Sequence, residues 1–233
     1  MSSLHLPNWL TTSLFGKLAR QAENGVNRDF PYDMQNRLLT GYGQSYTYDS
    51  VGRLTSYENT GQTMNGSFPA HAIKNSGYTY DNNGNMTGRS GKTLDWDHEN
   101  RLQQVKNGST VLESYLYDAD GVRVKKTVGS TSTYYPNQFY EQTGATITKY
   151  YYFNGQRVAM RVNGTLTYLH SDHLSSTVME TNSSGGLSTD EKYYAYGRQR
   201  DSGSVTTAPN GHPKYTGQKL DGTGLYYYNA RYG

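Results

Sequence analysis

From residue 145 onward the chain alternates. Ile147, Lys149, Tyr151 and Phe153 occupy one set of alternate positions, and Thr148, Tyr150 and Tyr152 the other. A period of two puts the sets on opposite faces of a strand. Asn154-Gly155 interrupts the run, and alternation resumes over Gln156 to Val162. That stretch places Val158, Met160 and Val162 on one face and Arg157 and Arg161 on the other. Asn163-Gly164 interrupts again before a third run, Thr165 to His170. Asn-Gly between alternating runs is the strongest short-range hairpin signal, so a β-meander is expected. Further along, Asn182 to Gly186 reads as a turn and the stretch around Glu191 to Tyr196 as a strand. Residues 201–213 read as a polar loop, and Leu225 to Tyr232 as an aromatic strand.

The first half has a different rhythm. An aromatic residue, Asp, two variable residues, then Gly or Asn recurs five times, starting at Tyr32, Tyr48, Tyr80, Trp96 and Tyr117. A spacing near 16, skipped once, is the mark of a repeat built from short hairpin units. The motif's Asp residues are Asp33, Asp49, Asp81, Asp97 and Asp118; its fifth positions are Asn36, Gly52, Gly84, Asn100 and Gly121. Gly and Asn enter the left-handed backbone region at least cost. Asp suits the first turn position, where its carboxylate accepts a nearby N–H. Each copy therefore reads as strand, tight turn, strand, and the five Asp residues as structural. Residues 58–76 replace one repeat with a Gly/Asn/Ser-rich loop or degenerate hairpin. Leu14 to Ala22 reads as a short helix or frayed lead-in.

Composition narrows the picture. The 233 residues include 24 Tyr and 26 Gly but 6 Pro, and only 33% are hydrophobic. Strand-favouring Tyr must supply much of the core while finding partners for its hydroxyls. The absence of Cys removes disulfides and thiolate metal sites. No apolar run reaches membrane-spanning length, and residues 1–10 lack a secretory signal pattern. The net charge of +3 is dispersed, which does not indicate nucleic acid.

With these repeats come three tail segments: Tyr168 to Thr177, Tyr194 to Arg198, and Tyr215 to Tyr232. Together they resemble the YD repeats and repeat-associated core domain of Rhs (rearrangement hotspot) and teneurin-type proteins. The resemblance rests on His170, Asp172, His173, Leu174, Gly217, Gln218, Gly224, Tyr227 and Arg231 beside the repeats. It implies an all-β fold of consecutive antiparallel hairpins, forming part of a spiral β-sheet shell. The implied organisation is a lead-in over 1–30, YD repeats over 31–128, a linker over 129–144 and the core domain over 145–233. Shells of this kind hold a C-terminal toxin or effector, and many cut themselves by aspartate chemistry. Here Ser175 stands where the family usually has Gly, and the resemblance stops at Tyr232-Gly233, before the Asp-Pro segments of self-cleavage. The expectation is a non-enzymatic wall or cap without cofactor, in a secreted or cell-surface setting. Its expected partners are the rest of a shell and a toxin domain or toxin-complex partner. The alternative is an extracellular module binding carbohydrate or a cell-surface glycan.

Other chemistry is weakly signalled. His170 and His173 flank Asp172, but a His pair without further ligands is a poor metal motif. Asp118-Ala119-Asp120-Gly121 starts like a calcium loop, yet Val122 to Lys126 supply no downstream oxygen ligands. No Gly-x-Ser-x-Gly elbow or phosphate-binding glycine loop occurs. The Tyr clusters suit stacking on sugars, although strand alternation alone accounts for them.

Overall fold

A computed structural model describes residues 10–12, 17–23, 25–64, 69, 72–200, 211–229 and 232, in two compact units, residues 1–76 and 77–233. Both are built of antiparallel hairpins.

In the first unit, Leu18–Glu23 pairs with Leu10–Thr12 on one side and Val26–Asp29 on the other. The helix considered for Leu14 to Ala22 is replaced, from Leu18 on, by strand. Pairing across the turn at Gly25 overrides a weak local propensity. Short hairpins follow, Thr40–Gly41 with Gln44–Ser45, and Thr47–Tyr48 with Leu54–Tyr57 and Thr60–Gly61. A bridge joins Met64 to Ile73 within the stretch read as a degenerate hairpin. Phe30 and Tyr46 are buried, with the Phe30 ring edge-on to Tyr42 at 5.2 Å.

The second unit is dominated by one open sheet of thirteen strands, running from Thr79–Tyr80 to Leu187–Asp190. Every strand pairs only with its neighbours in sequence. Residues 129–144, expected as a linker, supply two of these strands, Thr131–Asn137 and Tyr140–Thr143. Their Thr, Ser and Tyr residues fit a pleated surface despite the lack of an apolar run. Leu94, Leu102, Val105 and Tyr115 form a core on one face, and Tyr150, Met160 and Leu169 form another cluster. Met160 lies on the same face as Tyr150, its pairing partner. A register shift beyond Ala159 brings Arg157 to this face too, with its guanidinium 4.8 Å from the Tyr150 ring. Strict alternation had put Arg157 opposite Met160; the extra residue of a bulge reverses that.

The tail returns across this face. Leu225 joins the core of Leu94, Leu102, Val105 and Tyr115, and Tyr232 packs against it. The strand expected over residues 191–196 is reduced to Lys192–Tyr193, and that over 225–232 to Tyr226–Tyr227. Turns account for both reductions. Residues 201–210 of the expected polar loop, and Arg231, lie outside the described residues.

Candidate functional site

The motif makes one turn, and makes it the same way each time. In the first copy the Asp33 carbonyl accepts the Asn36 N–H at 2.9 Å, and the Asp33 N–H donates to the Arg37 carbonyl at 2.9 Å. Asp33 Oδ1 accepts the N–H groups of Gln35 and Arg37, while Oδ2 takes Arg37 Nε at 2.6 Å. The Arg37 backbone N–H, together with its guanidinium, holds the Asp33 carboxyl below the usual carboxylate range. Asn36, Gly52, Gly84, Asn100 and Gly121 all have φ between 61° and 89°. This is a three-residue hairpin loop closed by a left-handed residue.

The same two backbone bonds recur at 172–176, 182–186, 194–198, 214–218 and 221–225, giving ten such turns among the described residues. Five therefore escaped the motif, although each keeps a Gly or Ser three residues after its first position. Asp172 Oδ1 is engaged by the N–H groups of Leu174 and Ser176, and Ser175 takes φ 66°. Gly217 (φ 71°) and Gly224 (φ 83°) close two more, with Gln218 ending the first. Gly197 closes another under the Tyr215 ring, which any Cβ there would meet at 2.4 Å.

The aromatic position of one copy ties to an earlier copy. Tyr48 donates to the Leu38 carbonyl, Trp96 Nε1 to Met86, Tyr117 to Leu102 and Tyr193 to Thr177, at 2.7–3.1 Å. The motif Arg ties forward to the next copy, Arg37 reaching the Asp49 carbonyl at 3.4 Å and Arg101 the Asp118 carbonyl at 3.3 Å. Asp caps a turn; the ring locks neighbouring turns together.

Between the tail and the sheet lies a buried polar layer. Arg123 Nη1 meets Asp221 Oδ2 at 2.6 Å, with side chains 2% and 1% exposed, and Lys126 Nζ reaches the other oxygen at 2.8 Å. Lys219 pairs with Glu141, Lys214 with Glu191 at 3.3 Å, and His212 Nδ1 lies 2.8 Å from Glu180. The Arg123 N–H donates to the Tyr227 hydroxyl at 2.7 Å, and the Tyr117 and Tyr232 hydroxyls lie 2.9 Å apart. Arg157 donates to the Gly217 carbonyl at 3.0 Å. Burial brings the Lys219 ammonium down to about 8 against the pull of Glu141. Burial also raises Tyr115, Tyr135, Tyr150, Tyr193 and Tyr232 far above an ordinary phenol, and Tyr117 to about 12. Among the described residues, the tail's His212, Lys214, Lys219 and Asp221 each have an opposite partner on or beside the sheet, which suits docking. Asp221 had a signal in sequence, since it begins an Asp-x-x-Gly run like the repeats; the sheet's Glu residues had none.

The expected signature residues do not converge on a centre. His170 points away from the tail and contacts Thr181 Oγ1 at 3.0 Å; His173 and Leu174 are exposed in their turn. Among the described residues no group of three or more His, Cys, Asp or Glu is placed to hold a metal ion. A cleft of about 360 Å³ opens between the Asp97 and Asp118 turns, lined by Trp96, Arg101, Tyr117, Asp120, Asn229 and Tyr232, among others. Among the described residues no helix is long and apolar enough to cross a membrane.

No family model matches the chain. It is 30% identical over 207 residues to the tRNA3(Ser)-specific nuclease WapA of Bacillus spizizenii, a match covering 80% of this chain and 9% of WapA. It is 24% identical over 258 residues to the toxin subunit YenC1 of Yersinia entomophaga, covering 85% of this chain and 26% of that protein. The chain thus spans only a small part of these relatives. Its fold is similar to the crystal structure of TcdB2-TccC3 without its hypervariable C-terminal region, with a TM-score of 0.50 at 18% identity. That likeness covers 96% of this chain and 17% of the solved one. With ten equivalent turns among the described residues, ring-to-turn ties between copies and these relatives, the chain shows a family-level match to Rhs/YD-repeat, polymorphic-toxin-associated proteins.

Proposed function

We propose that this chain is a non-enzymatic part of the wall of a YD-repeat shell that encloses or presents a toxin or effector. The observation that carries the reading is the open thirteen-stranded meander with a tail fastened across one face by paired buried charges. Its polar groups serve turns, ties between repeats and docking. The residues 31–128 act as repeats and 145–233 as the core region that closes one face. The signature positions Asp172, Gly217, Gln218 and Gly224 act as turn formers, and Tyr227 as a hydroxyl partner of Arg123. Partners are the remainder of a shell and its cargo, in a secreted or cell-surface setting. The names of the relatives, a nuclease and a toxin subunit, support a toxin context.

The test is to purify the tagged protein from its producing cells and treat it with proteinase K. A co-purifying polypeptide that resists digestion until the sheet is unfolded is the expected result. Full digestion of every co-purifying chain in the native state contradicts the wall reading.

A second reading, recognition of a surface glycan, is favoured by the opposite face of the sheet, where Tyr134, Tyr151 and Tyr168 are exposed.

A further inference from the structure

Of the tail's buried cations, Lys214 and Lys219 carry amines, and each meets a glutamate. Lys214 sits in an ordinary ion pair. Its Nζ lies 3.3 Å from one Glu191 oxygen, and Gln199 Nε2 donates to the other at 2.6 Å, so that carboxylate is satisfied as an anion. Lys219 is different. It reaches from the tail strand Lys219–Leu220 to the sheet strand Tyr140–Thr143, where its Nζ meets Glu141 Oε2. The Tyr150 ring centre lies 4.7 Å from Nζ and that of Tyr135 5.4 Å. The lysine side chain is 16% exposed and the glutamate 12%. Burial, and then the positive charges of Arg157 and Arg123, favour the neutral amine against the pull of Glu141.

Tyr150 supplies a second, independent observation. It is 6% exposed, and its hydroxyl is buried without a hydrogen-bond partner. A buried orphan donor is uncommon and calls for an explanation. This one lies near enough to Glu141 for the carboxylate charge to add to burial in raising the phenol far above its ordinary range. The site therefore holds an amine driven towards its nucleophilic form, a carboxyl in contact with it, and a proton donor with nothing yet to donate to.

We propose that the Lys219 amine and the Glu141 carboxyl condense to an amide, a covalent strap between tail and sheet, with the Tyr150 hydroxyl assisting the reaction. Proton transfer within the pair first makes both groups neutral. Nζ then attacks Glu141 Cδ and forms the C–N bond, while the carbonyl oxygen takes up charge and accepts the Tyr150 hydroxyl. The C–OH bond breaks, and the hydroxyl leaves as water with a proton from nitrogen. One amide and one water replace one ammonium and one carboxylate, so no oxidant or co-reactant is consumed. Burial favours the change, because two charges away from water are costly and a neutral amide is less so. Fixed proximity replaces an encounter in solution. In a chain without cysteine, the strap does the work of a disulfide across 78 positions. Only the unbonded chain titrates at Lys219. The strap does not depend on the shell-wall reading, which stands whether or not the bond forms.

The test is mass spectrometry of the full chain after denaturation. The wild-type protein should be lighter than its sequence by one water. Trypsin should release a branched product joining residues 127–149 to 215–231, because a bonded Lys219 is no longer cleaved. Glu141→Ala and Lys219→Arg should keep the full sequence mass. Tyr150→Phe should slow formation of the branched product by about a hundredfold or more, as loss of a donor to a developing oxyanion does. Circular dichroism checks that each variant folds; if the Glu141 and Lys219 variants do not, the wild-type peptide map decides alone. A wild-type mass equal to the sequence, with residues 215–219 released as a free peptide, overturns the proposal. So does a lost water that maps to a cyclic imide at Asp120-Gly121 or Asp221-Gly222. A branched product that forms in Tyr150→Phe as fast as in the wild type overturns the role given to Tyr150.

Discussion

At the scale of single residues, the chain reuses one backbone solution and varies what closes it. Ser175 is the informative variant, because it holds a left-handed conformation that favours Gly. Replacing it with Gly relieves the Cβ conflict but loosens the unfolded chain. The net expected gain is about 0.5–1 kcal/mol, measured by urea unfolding. A loss of stability would mean that the hydroxyl is needed. At Gly197 the logic reverses: Gly197→Ala must displace the Tyr215 ring, and a destabilisation of about 2 kcal/mol or more is expected. The five Asp-x-x-Gly/Asn turns were legible in sequence because residue type there is dictated by φ. Those at Tyr194 and Lys214 were not, because their first residues lack a capping carboxylate and only the backbone bonds reveal them.

At the scale of elements, the tail is held by charge as much as by apolar contact. Asp221 answers both Arg123 and Lys126, so Asp221→Asn leaves a buried guanidinium without its counter-charge. A cost of about 3–5 kcal/mol is expected in chemical denaturation. Replacing Arg123 and Asp221 together by Met and Leu should cost much less than the single change, because the buried guanidinium leaves with its carboxylate and only Lys126, 16% exposed, loses a partner. If the double variant is as unstable as the single one, the pair is not what holds the tail. The meander over 145–182 was legible from alternation and Asn-Gly turns. The placement of Arg157 was not, since a bulge shifts register without marking the sequence. Nor were the strands of 129–144, where Thr and Tyr pack with little hydrophobic contrast.

At the scale of the second unit as a whole, its phenols set a pH limit. Tyr115, Tyr135, Tyr150, Tyr193 and Tyr232 stay protonated in the folded state well above the value near 10 at which an unfolded chain releases them. Above pH 10 the unfolded state therefore binds fewer protons, and stability falls by up to about 1.4 kcal/mol per pH unit for each such Tyr. Lys219 works in the opposite sense between about 8 and 10.5, where the folded state has released its proton and the unfolded state has not. Unfolding free energies measured from pH 7 to 11.5 should rise slightly towards pH 10, then collapse; a flat profile above pH 10 would mean the rings are solvated. The sheet also ends in an edge strand, Leu187–Asp190, with Leu187 half exposed. Such an edge is a template for pairing, so sedimentation should show concentration-dependent association that Leu187→Lys weakens.

The strand order carries a consequence for how such a sheet is made. Each strand needs only the one just before it, so the sheet can be laid down in the order in which the chain emerges from a ribosome or an export conduit. The tail alone reaches back, with Asp221 closing on Arg123 across 98 residues. A thread passed through a narrow opening would thus rebuild its sheet strand by strand and fasten the tail last. In refolding followed by pulsed hydrogen exchange, the amides of Asp221 and Gly224 should gain protection after those of Val105 and Tyr115. The docked tail is then less a decoration of the finished sheet than the signal that the sheet is finished.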